Sequence, residues 1–140
     1  MNDPIGSSSN PAESRPFVLV ADDDELARRI VAKILEKLGC HVDAVSDGAE
    51  AVEAARTVQY DLIILDGVMP EMDGLEAARQ IRLMEGERGR VPIVGVTGDT
   101  VRITKEKCRE AGMNHYLQKP VGREAYRNVV KQFIRQQHDQ

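Results

Sequence analysis

The sequence alternates between short apolar runs and segments with helical spacing of apolar residues. The apolar runs are FVLVA, HVDAVS, DLIILD, VPIVGVT and HYLQK, and a helical segment follows each of them after a short connection. This alternation is typical of a parallel sheet in which helices cross over between strands. Right-handed crossovers then place helices on both faces of the sheet. We therefore predict a doubly wound α/β fold with five strands and five helices.

Helix boundaries and inward faces follow from capping residues and from the spacing of apolar residues. The first helix carries apolar residues at four-residue spacing and ends at a glycine. The second and third helices begin near aspartates, and residues 100–112 and 121–136 are predicted to form the last two helices. The residues used for these predictions are Leu26, Ile30, Ile34, Leu38 and Gly39 for the first helix, Asp47, Ala51, Val52 and Ala55 for the second, Asp73 for the third, and Ala125, Val129 and Phe133 for the last.

Composition limits the kind of protein that this chain can be. With 140 residues the chain suits one domain, which we place at residues 17–138 after a Ser/Pro-rich tail or linker at residues 1–16 that is predicted to be disordered. The net charge of −4 argues against nucleic-acid binding. No apolar run approaches the length of a membrane span, and no secretory signal is recognisable. Two cysteines do not suggest a disulfide framework, so we expect a cytoplasmic protein.

Polar and charged residues follow four of the five predicted strands. Asp22–Asp24 follow the first strand, Asp66 ends the third, Thr97 ends the fourth and Lys119 follows the fifth. In open α/β sheets, ligands bind outside the carboxyl ends of the strands, and the first and third strands are neighbours in this topology. We therefore expect these side chains to meet at one edge of the sheet.

These residue types favour phosphoryl transfer to Asp66. Clustered carboxylates repel one another, and a divalent cation such as Mg²⁺ relieves the repulsion. Lys119 supplies a positive charge, and Thr97 supplies a hydroxyl donor, for a phosphoryl oxygen. Simpler interpretations exist for each residue alone: Asp22–Asp24 could begin a helix, and Asp66 could be an ordinary turn residue. The combination at successive strand ends is what favours the functional interpretation.

Four motifs in this order resemble the response-regulator receiver domain of two-component and phosphorelay signalling. They are VLVADDDELARRIV, DLIILDGVMPEMDG, PIVGVT and HYLQKP, and the similarity covers about residues 17–136. The resemblance implies a flavodoxin-like fold with sheet order 2-1-3-4-5. The polar EGERGR connection, somewhat longer than is usual in this family, resembles receivers of hybrid kinases or plant-type regulators.

The resemblance also implies roles for individual residues. Asp66 would accept a phosphoryl group from a phosphohistidine on a histidine kinase or histidine phosphotransfer protein. Mg²⁺ would be held by Asp23, Asp66 and the backbone carbonyl of Val68, with Asp22 acting mainly through water. Lys119 would contact the phosphoryl group and precede a cis proline.

A conformational switch is implied by the same resemblance. The Thr97 hydroxyl would move towards the phosphoryl group, and Tyr116 would rotate into the space that is vacated. The surface formed by the fourth helix, fifth strand and fifth helix would then change shape. Such a local charge event is a recognised way to bias a two-state element.

Several positions around the predicted site depart from the family pattern. Gly67 stands after the acceptor where the family usually has a larger residue, and Gly98 follows Thr97. Val68 and Asp99 occupy the positions that influence attack by water on the phosphoryl group. Because Val68 has no side-chain hydrogen-bonding group, we expect a long-lived phosphorylated form unless Asp99 orients the water.

Two other functions stay open from the sequence. One is a degenerate receiver that acts only as a protein-binding module. The other is a magnesium-dependent aspartyl-phosphate hydrolase, which needs a second acid where this chain has Val68. The favoured hypothesis is a signalling phosphoacceptor that catalyses only its own phosphorylation and dephosphorylation, as a monomer or weak dimer.

Overall fold

The computed structural model describes residues 15–134, so most of the predicted tail and the end of the predicted domain at residue 138 lie outside the described residues. Strands and helices alternate along the whole described chain. A short 3-10 helix, Gly86–Arg90, follows the third α-helix, and a π-helical turn, Val130–Ile134, continues the fifth. The elements are β1 (Phe17–Ala21), α1 (Glu25–Lys37), β2 (His41–Val45), α2 (Gly48–Thr57), β3 (Leu62–Asp66), α3 (Gly74–Arg82), β4 (Ile93–Thr97), α4 (Lys105–Glu110), β5 (His115–Gln118) and α5 (Arg123–Val129).

The five strands form one parallel sheet in the order β2-β1-β3-β4-β5. Every residue of β3 and β4 is buried, as expected for central strands that helices cover on both faces. The predicted fold class, strand order and five α-helices are confirmed.

The helices form two layers, each with its own apolar cluster against the sheet. Helices α2, α3 and α4 cover one face, where small residues such as Ala51, Ala55, Ala77 and Ala78 allow close packing. Helices α1 and α5 cover the other face, where Leu35 and residues of α5 pack against β1, β3 and β4. The absence of tryptophan agrees with this largely aliphatic core.

Side-chain caps explain where four of the helices begin. In each case a side-chain oxygen accepts backbone N–H groups of the first turn, which otherwise have no partner. The capping residues are Asp24 for α1, Asp47 for α2, Asp73 for α3 and Thr104 for α4. The two aspartates that the sequence singled out as helix starts are therefore confirmed.

The stripe at four-residue spacing in α1 is only partly buried. Leu26 and Ile30 are 66% and 51% exposed, whereas Leu35 is fully buried. Four residues advance more than one helical turn, so each step rotates the stripe by about 40° around the helix axis. The N-terminal half of α1 therefore presents an apolar surface to solvent.

Three other sequence predictions need correction. Helix α4 starts only at Lys105, because Thr104 is its cap, and residues 98–104 form an irregular segment. The EGERGR connection contains the 3-10 helix rather than an open loop. In the last helix Val129 is buried as predicted, but Tyr126 and Ile134 are the other buried residues there, while Ala125 and Phe133 are half-buried.

Among the described residues, no helix combines the length and the apolar character that crossing a membrane requires.

Candidate functional site

The sheet register brings the predicted site residues to one edge. Ala21 pairs with Leu65, so the next residues, Asp22 and Asp66, lie side by side at the ends of β1 and β3. On the other side of Asp66, β4 ends at Thr97, and the backbone N–H of Lys119 donates to the Thr97 carbonyl at 2.9 Å. The carboxyl ends of four neighbouring strands therefore supply the site.

Three carboxylates form a compact cluster at this edge. Asp22, Asp23 and Asp66 each place a carboxylate oxygen so that all three atoms lie within 4.8 Å of one another. Asp22 and Asp66 are buried, at 6% and 7% exposed, and Asp23 is exposed. A donor set of clustered carboxylate oxygens with one side open to water fits a hard divalent cation such as Mg²⁺.

Lys119 lies between the two buried carboxylates. Its Nζ atom is 3.3 Å from Asp22 Oδ2 and 3.3 Å from Asp66 Oδ2. Burial alone would lower the pKa of Lys119, but the charges of Asp66 and Asp22 outweigh it and raise that pKa. Lys119 is therefore held as a cation, and Lys119–Pro120 is a cis peptide bond, as the resemblance implied.

Burial of the Asp66 carboxylate outweighs the stabilising charge of Lys119. Burial raises the pKa of its carboxyl from 3.8 to about 6, the charge of Lys119 lowers it, and that of Asp22 raises it again. The backbone N–H of Val68 donates to Asp66 Oδ1 at 3.3 Å and also favours the ionised form. The other carboxylate oxygen, Oδ2, faces Lys119.

Glycines allow the backbone after Asp66 to turn tightly into α3. The N–H of Gly74 donates to the carbonyl of Gly67 at 3.1 Å. A Cβ at Gly74 would collide with the carbonyl oxygen of Asp66, so only glycine permits this approach. The acceptor loop, which we define as residues 67–73, is thereby fixed against the first turn of α3.

Thr97 and Tyr116 lie on the side of the site towards β5. The Thr97 side chain is 1% exposed, and its Oγ1 accepts the backbone N–H of Asp99 at 3.0 Å. That bond leaves the hydroxyl hydrogen free to donate to an incoming oxygen. Tyr116 is half-buried, and its hydroxyl donates to the carbonyl of Ile103 at 3.0 Å. Of the predicted residues, Asp22, Asp23, Asp66 and Lys119 converge directly.

The sequence did not reveal three further residues around the site. Arg28 Nη1 donates to the carbonyl of Asp22 at 2.7 Å, and Arg102 Nε donates to Asp99 Oδ2 at 2.6 Å. Ile103 packs beside Gly67. The spacing of three residues between Asp99 and Arg102 is a sequence signal for such a pair, whereas the other two contacts depend on tertiary packing.

The fold and the site fit the class of phosphorelay signalling domains, because a five-stranded parallel sheet carries a carboxylate cluster and a lysine at its carboxyl edge. The family model for the response regulator receiver domain matches residues 18–131, and the chain belongs to that family. The protein is therefore a receiver domain of phosphorelay signalling.

Curated relatives are long histidine kinases. The chain is 34% identical over 136 residues to the peroxide stress-activated histidine kinase mak2 of Schizosaccharomyces pombe, covering 93% of this chain but 6% of the kinase. It is 36% identical over 117 residues to the CAI-1 autoinducer sensor kinase/phosphatase CqsS of Vibrio cholerae, covering 84% of this chain and 17% of that protein. The chain thus spans only a small part of the length of these relatives.

Solved structures of receiver domains have the same fold. The receiver domain of a sensor histidine kinase from Pseudomonas aeruginosa is 35% identical with a TM-score of 0.79, covers 86% of this chain and 98% of that one, and holds a magnesium ion in its active-site cleft. The receiver domain of the response regulator Ssk1 from Saccharomyces cerevisiae was solved with the histidine phosphotransfer protein Ypd1. That match has 27% identity, a TM-score of 0.79, and coverage of 88% and 91%.

Proposed function

We propose that Asp66 accepts a phosphoryl group from a phosphohistidine on a histidine kinase or a histidine phosphotransfer protein. The observation that carries this proposal is the position of the Asp66 carboxylate, which is buried at a strand end beside a lysine that also contacts a second buried carboxylate. In the transfer, a carboxylate oxygen of Asp66 forms a bond to phosphorus as the bond from phosphorus to the imidazole nitrogen breaks.

Asp23, Asp66 and the backbone carbonyl of Val68 are the proposed ligands of Mg²⁺, with Asp22 acting through water. When bound, the ion neutralises charge on the carboxylates and on the transferred group. The cluster of Asp22, Asp23 and Asp66 oxygens supports this assignment. Lys119, already a cation beside Asp66, stabilises the negative charge that develops on a phosphoryl oxygen.

Thr97 and Tyr116 are the proposed switch residues. The Thr97 hydroxyl donates to a phosphoryl oxygen, which draws the end of β4 towards Asp66. Tyr116 then changes its rotamer, and the surface of α4, β5 and α5 changes with it. The half-buried position of Tyr116, with one hydrogen bond to an irregular segment, supports a side chain that can adopt two states.

The histidine-bearing donor is proposed to dock on the N-terminal half of α1. Leu26 and Ile30 are exposed there, and a groove of about 480 Å³ leads from Ile30 to Asp22 and Lys119. Because the groove is continuous with the site, a partner that packs on these apolar residues reaches the carboxylates. The similarity to a receiver solved with its phosphotransfer protein supports this kind of partner.

Further expectations belong to this proposal. The folded domain spans residues 17–138, acts in the cytoplasm as a monomer or weak dimer, and catalyses only its own phosphorylation and dephosphorylation. Two buried free cysteines, Cys40 and Cys108, suit a reducing compartment. The long histidine kinases among the relatives support a role in a multistep relay.

Incubation with acetyl phosphate and Mg²⁺, followed by intact-mass measurement, tests the function. We expect the gain of a single phosphoryl group, which is absent without Mg²⁺ and in Asp66→Asn. Continuous turnover of a phosphate ester would instead indicate the hydrolase. No reaction with acetyl phosphate or with a phosphorylated histidine donor would indicate a binding module.

A further inference from the structure

Ile103 contacts both the acceptor loop and Tyr116. In segment 98–104, which the structure describes completely, Ile103 alone is buried, with 5% of its surface exposed. It immediately precedes Thr104, the cap of α4, and its backbone N–H donates to the Asp99 carbonyl at 3.0 Å. The rest of the segment is exposed or half-buried, so Ile103 is the side chain through which the segment packs into the apolar core.

The side chain of Ile103 occupies the space that a side chain at Gly67 would need. A Cβ at Gly67 would lie 2.8 Å from Ile103 Cγ2 and 3.0 Å from Cγ1. The φ angle of Gly67 is outside the left-handed region, so glycine is required there for space and not for backbone conformation. The isoleucine thus rests directly on the residue that follows Asp66.

The carbonyl of the same isoleucine accepts the Tyr116 hydroxyl at 3.0 Å. Because both contacts involve one residue, a movement of the Ile103 backbone that lifts its side chain from Gly67 also moves the oxygen to which Tyr116 is bonded.

We propose that Ile103 is a positioning residue that links the acceptor loop to Tyr116, so that the backbone next to Asp66 sets the orientation of the tyrosine. In the phosphorylated protein, movement of the acceptor loop or of segment 98–104 breaks this hydrogen bond and releases Tyr116. The biological purpose of the link rests on the proposed function, whereas the link itself is present in the unphosphorylated protein. A small residue at position 67 is therefore a requirement of the switch in this chain.

A double-mutant experiment on the unphosphorylated protein tests the link. The chain has three tyrosines, so NMR of protein with the tyrosine rings labelled only at Cζ gives three signals, and Tyr116→Phe identifies the signal of Tyr116. We expect Gly67→Ala to move the Tyr116 signal towards that of a solvent-exposed tyrosine. Tyr60 and Tyr126, which are 4% and 3% exposed, report whether the fold is intact.

Two variants give the matched controls. In Gly67→Ala/Ile103→Ala only the Cβ of residue 103 stays near the new methyl group, at 3.3 Å, so we expect the Tyr116 signal to return towards its wild-type position. Gly98→Ala adds a methyl group beside the same site, where the nearest atom is Lys119 Cβ at 3.8 Å, and is expected to leave Tyr116 unchanged. An unchanged Tyr116 signal in Gly67→Ala, or an equal shift in the double variant, would overturn the proposal.

Amide hydrogen exchange supplies a test that does not depend on Gly67→Ala being folded. Tyr116→Phe removes the hydrogen bond to the Ile103 carbonyl, so residue 103 should open more often. We therefore expect exchange at the Ile103 N–H to be roughly fivefold faster. Equal exchange rates in the two proteins would contradict the link. Both experiments use unphosphorylated protein. A failure of Asp66 to accept phosphate would therefore refute the proposed function, whereas only these two experiments decide whether Ile103 links the acceptor loop to Tyr116.

Discussion

Arg82 and Lys119 are two cationic side chains that serve opposite ends of the sheet in different ways. Arg82, at the end of α3, donates to the carbonyls of Gly112, Gly89 and Val91 and to Asn114 Oδ1, at 2.7–3.0 Å. All its acceptors are neutral. Lys119 contacts two carboxylates, and a third carboxylate lies in the same cluster.

The difference in acceptors indicates that the charge of Arg82 is structural and that of Lys119 is functional. Burial lowers the pKa of the Arg82 guanidinium, and four hydrogen bonds to neutral acceptors offset the cost of that burial. At the other end the negative charge exceeds the positive charge, and the cluster is open to water on the side of Asp23. A surplus of negative charge in a partly buried site is what a bound cation can relieve.

The largest expected effect is on chemistry, from Lys119→Ala. Loss of the ammonium removes charge stabilisation from the transferred group, so we expect phosphorylation by acetyl phosphate to slow roughly a hundredfold. Intact-mass time courses measure the rate, with Arg82→Lys as the control that keeps the site. A rate within a factor of about two of wild type would show that Lys119 is not part of the site.

The next largest effect is on stability, from Arg82→Ala. Four hydrogen-bonding groups lose their donor, so we expect the free energy of unfolding to fall by about 3 kcal/mol in urea denaturation. Arg82→Lys keeps the charge but not the fork geometry and should lose less. Because Arg82 is remote from the carboxylates, the folded variant should still be phosphorylated. Loss of phosphorylation in folded Arg82→Ala would contradict the claim that Arg82 is structural and Lys119 is functional.

Asp66→Asn tests, through pH dependence, whether burial destabilises the ionised Asp66 carboxylate. The pKa of Asp66 is raised from 3.8 to about 6, so the folded state binds this proton more tightly than the unfolded state does. Ionisation of Asp66 therefore reduces stability as the pH rises through this window, and the reduction is complete above pH 6. In metal-free buffer with EDTA we expect Asp66→Asn to be more stable than wild type by about 1–2 kcal/mol at pH 7.5.

Thermal or urea unfolding from pH 4 to 7.5 checks this prediction. The difference between the two proteins should be small at pH 4 and should grow as Asp66 ionises. Asp43→Asn is a control that removes an acid outside the cluster. Asp43 lies on β2 and accepts a hydrogen bond from the Tyr60 hydroxyl. A constant difference at every pH would mean that the Asp66 carboxylate is not destabilised by its surroundings.

The smallest expected effect concerns the lifetime of the phosphorylated form. Asp99 is bonded to Arg102 through both carboxylate oxygens, at 3.0 Å to its backbone N–H and 2.6 Å to Nε, which holds the carboxylate towards Arg102. We expect Arg102→Ala and Val68→Asn each to speed phosphoryl loss by roughly threefold. Arg109→Ala, which removes a similar exposed pair on α4, is the control. Unchanged rates would count against the predicted long lifetime.

The sequence was sufficient to predict the parts of the molecule that depend on local pattern and strand order. Strand ends are marked by Asp22, Asp66, Thr97 and Lys119, and in a parallel sheet the topology alone brings strand ends together. The caps at Asp47 and Asp73 were likewise predictable, because an acceptor side chain before a helix satisfies its first N–H groups.

Features that depend on contacts between distant segments could not be predicted. Arg82 is an ordinary residue near a helix end in the sequence, and its acceptors come from residues 89–114. The apolar residues Leu26 and Ile30 fit a helical pattern, but the pattern does not state which part of the helix leaves the sheet. The dependence of Gly67 on Ile103 is a matter of available space, which only packing determines.

Thermal unfolding with and without Mg²⁺ tests most directly whether the carboxylate cluster is a cation site. A ligand that binds only the folded state raises the unfolding midpoint, and saturating Mg²⁺ should raise that of the wild type by several degrees. Arg82→Lys should show the same rise, whereas Asp23→Asn, which changes an exposed member of the cluster, should show none. A wild-type midpoint that does not respond to Mg²⁺, or an equal rise in Asp23→Asn, would contradict the account.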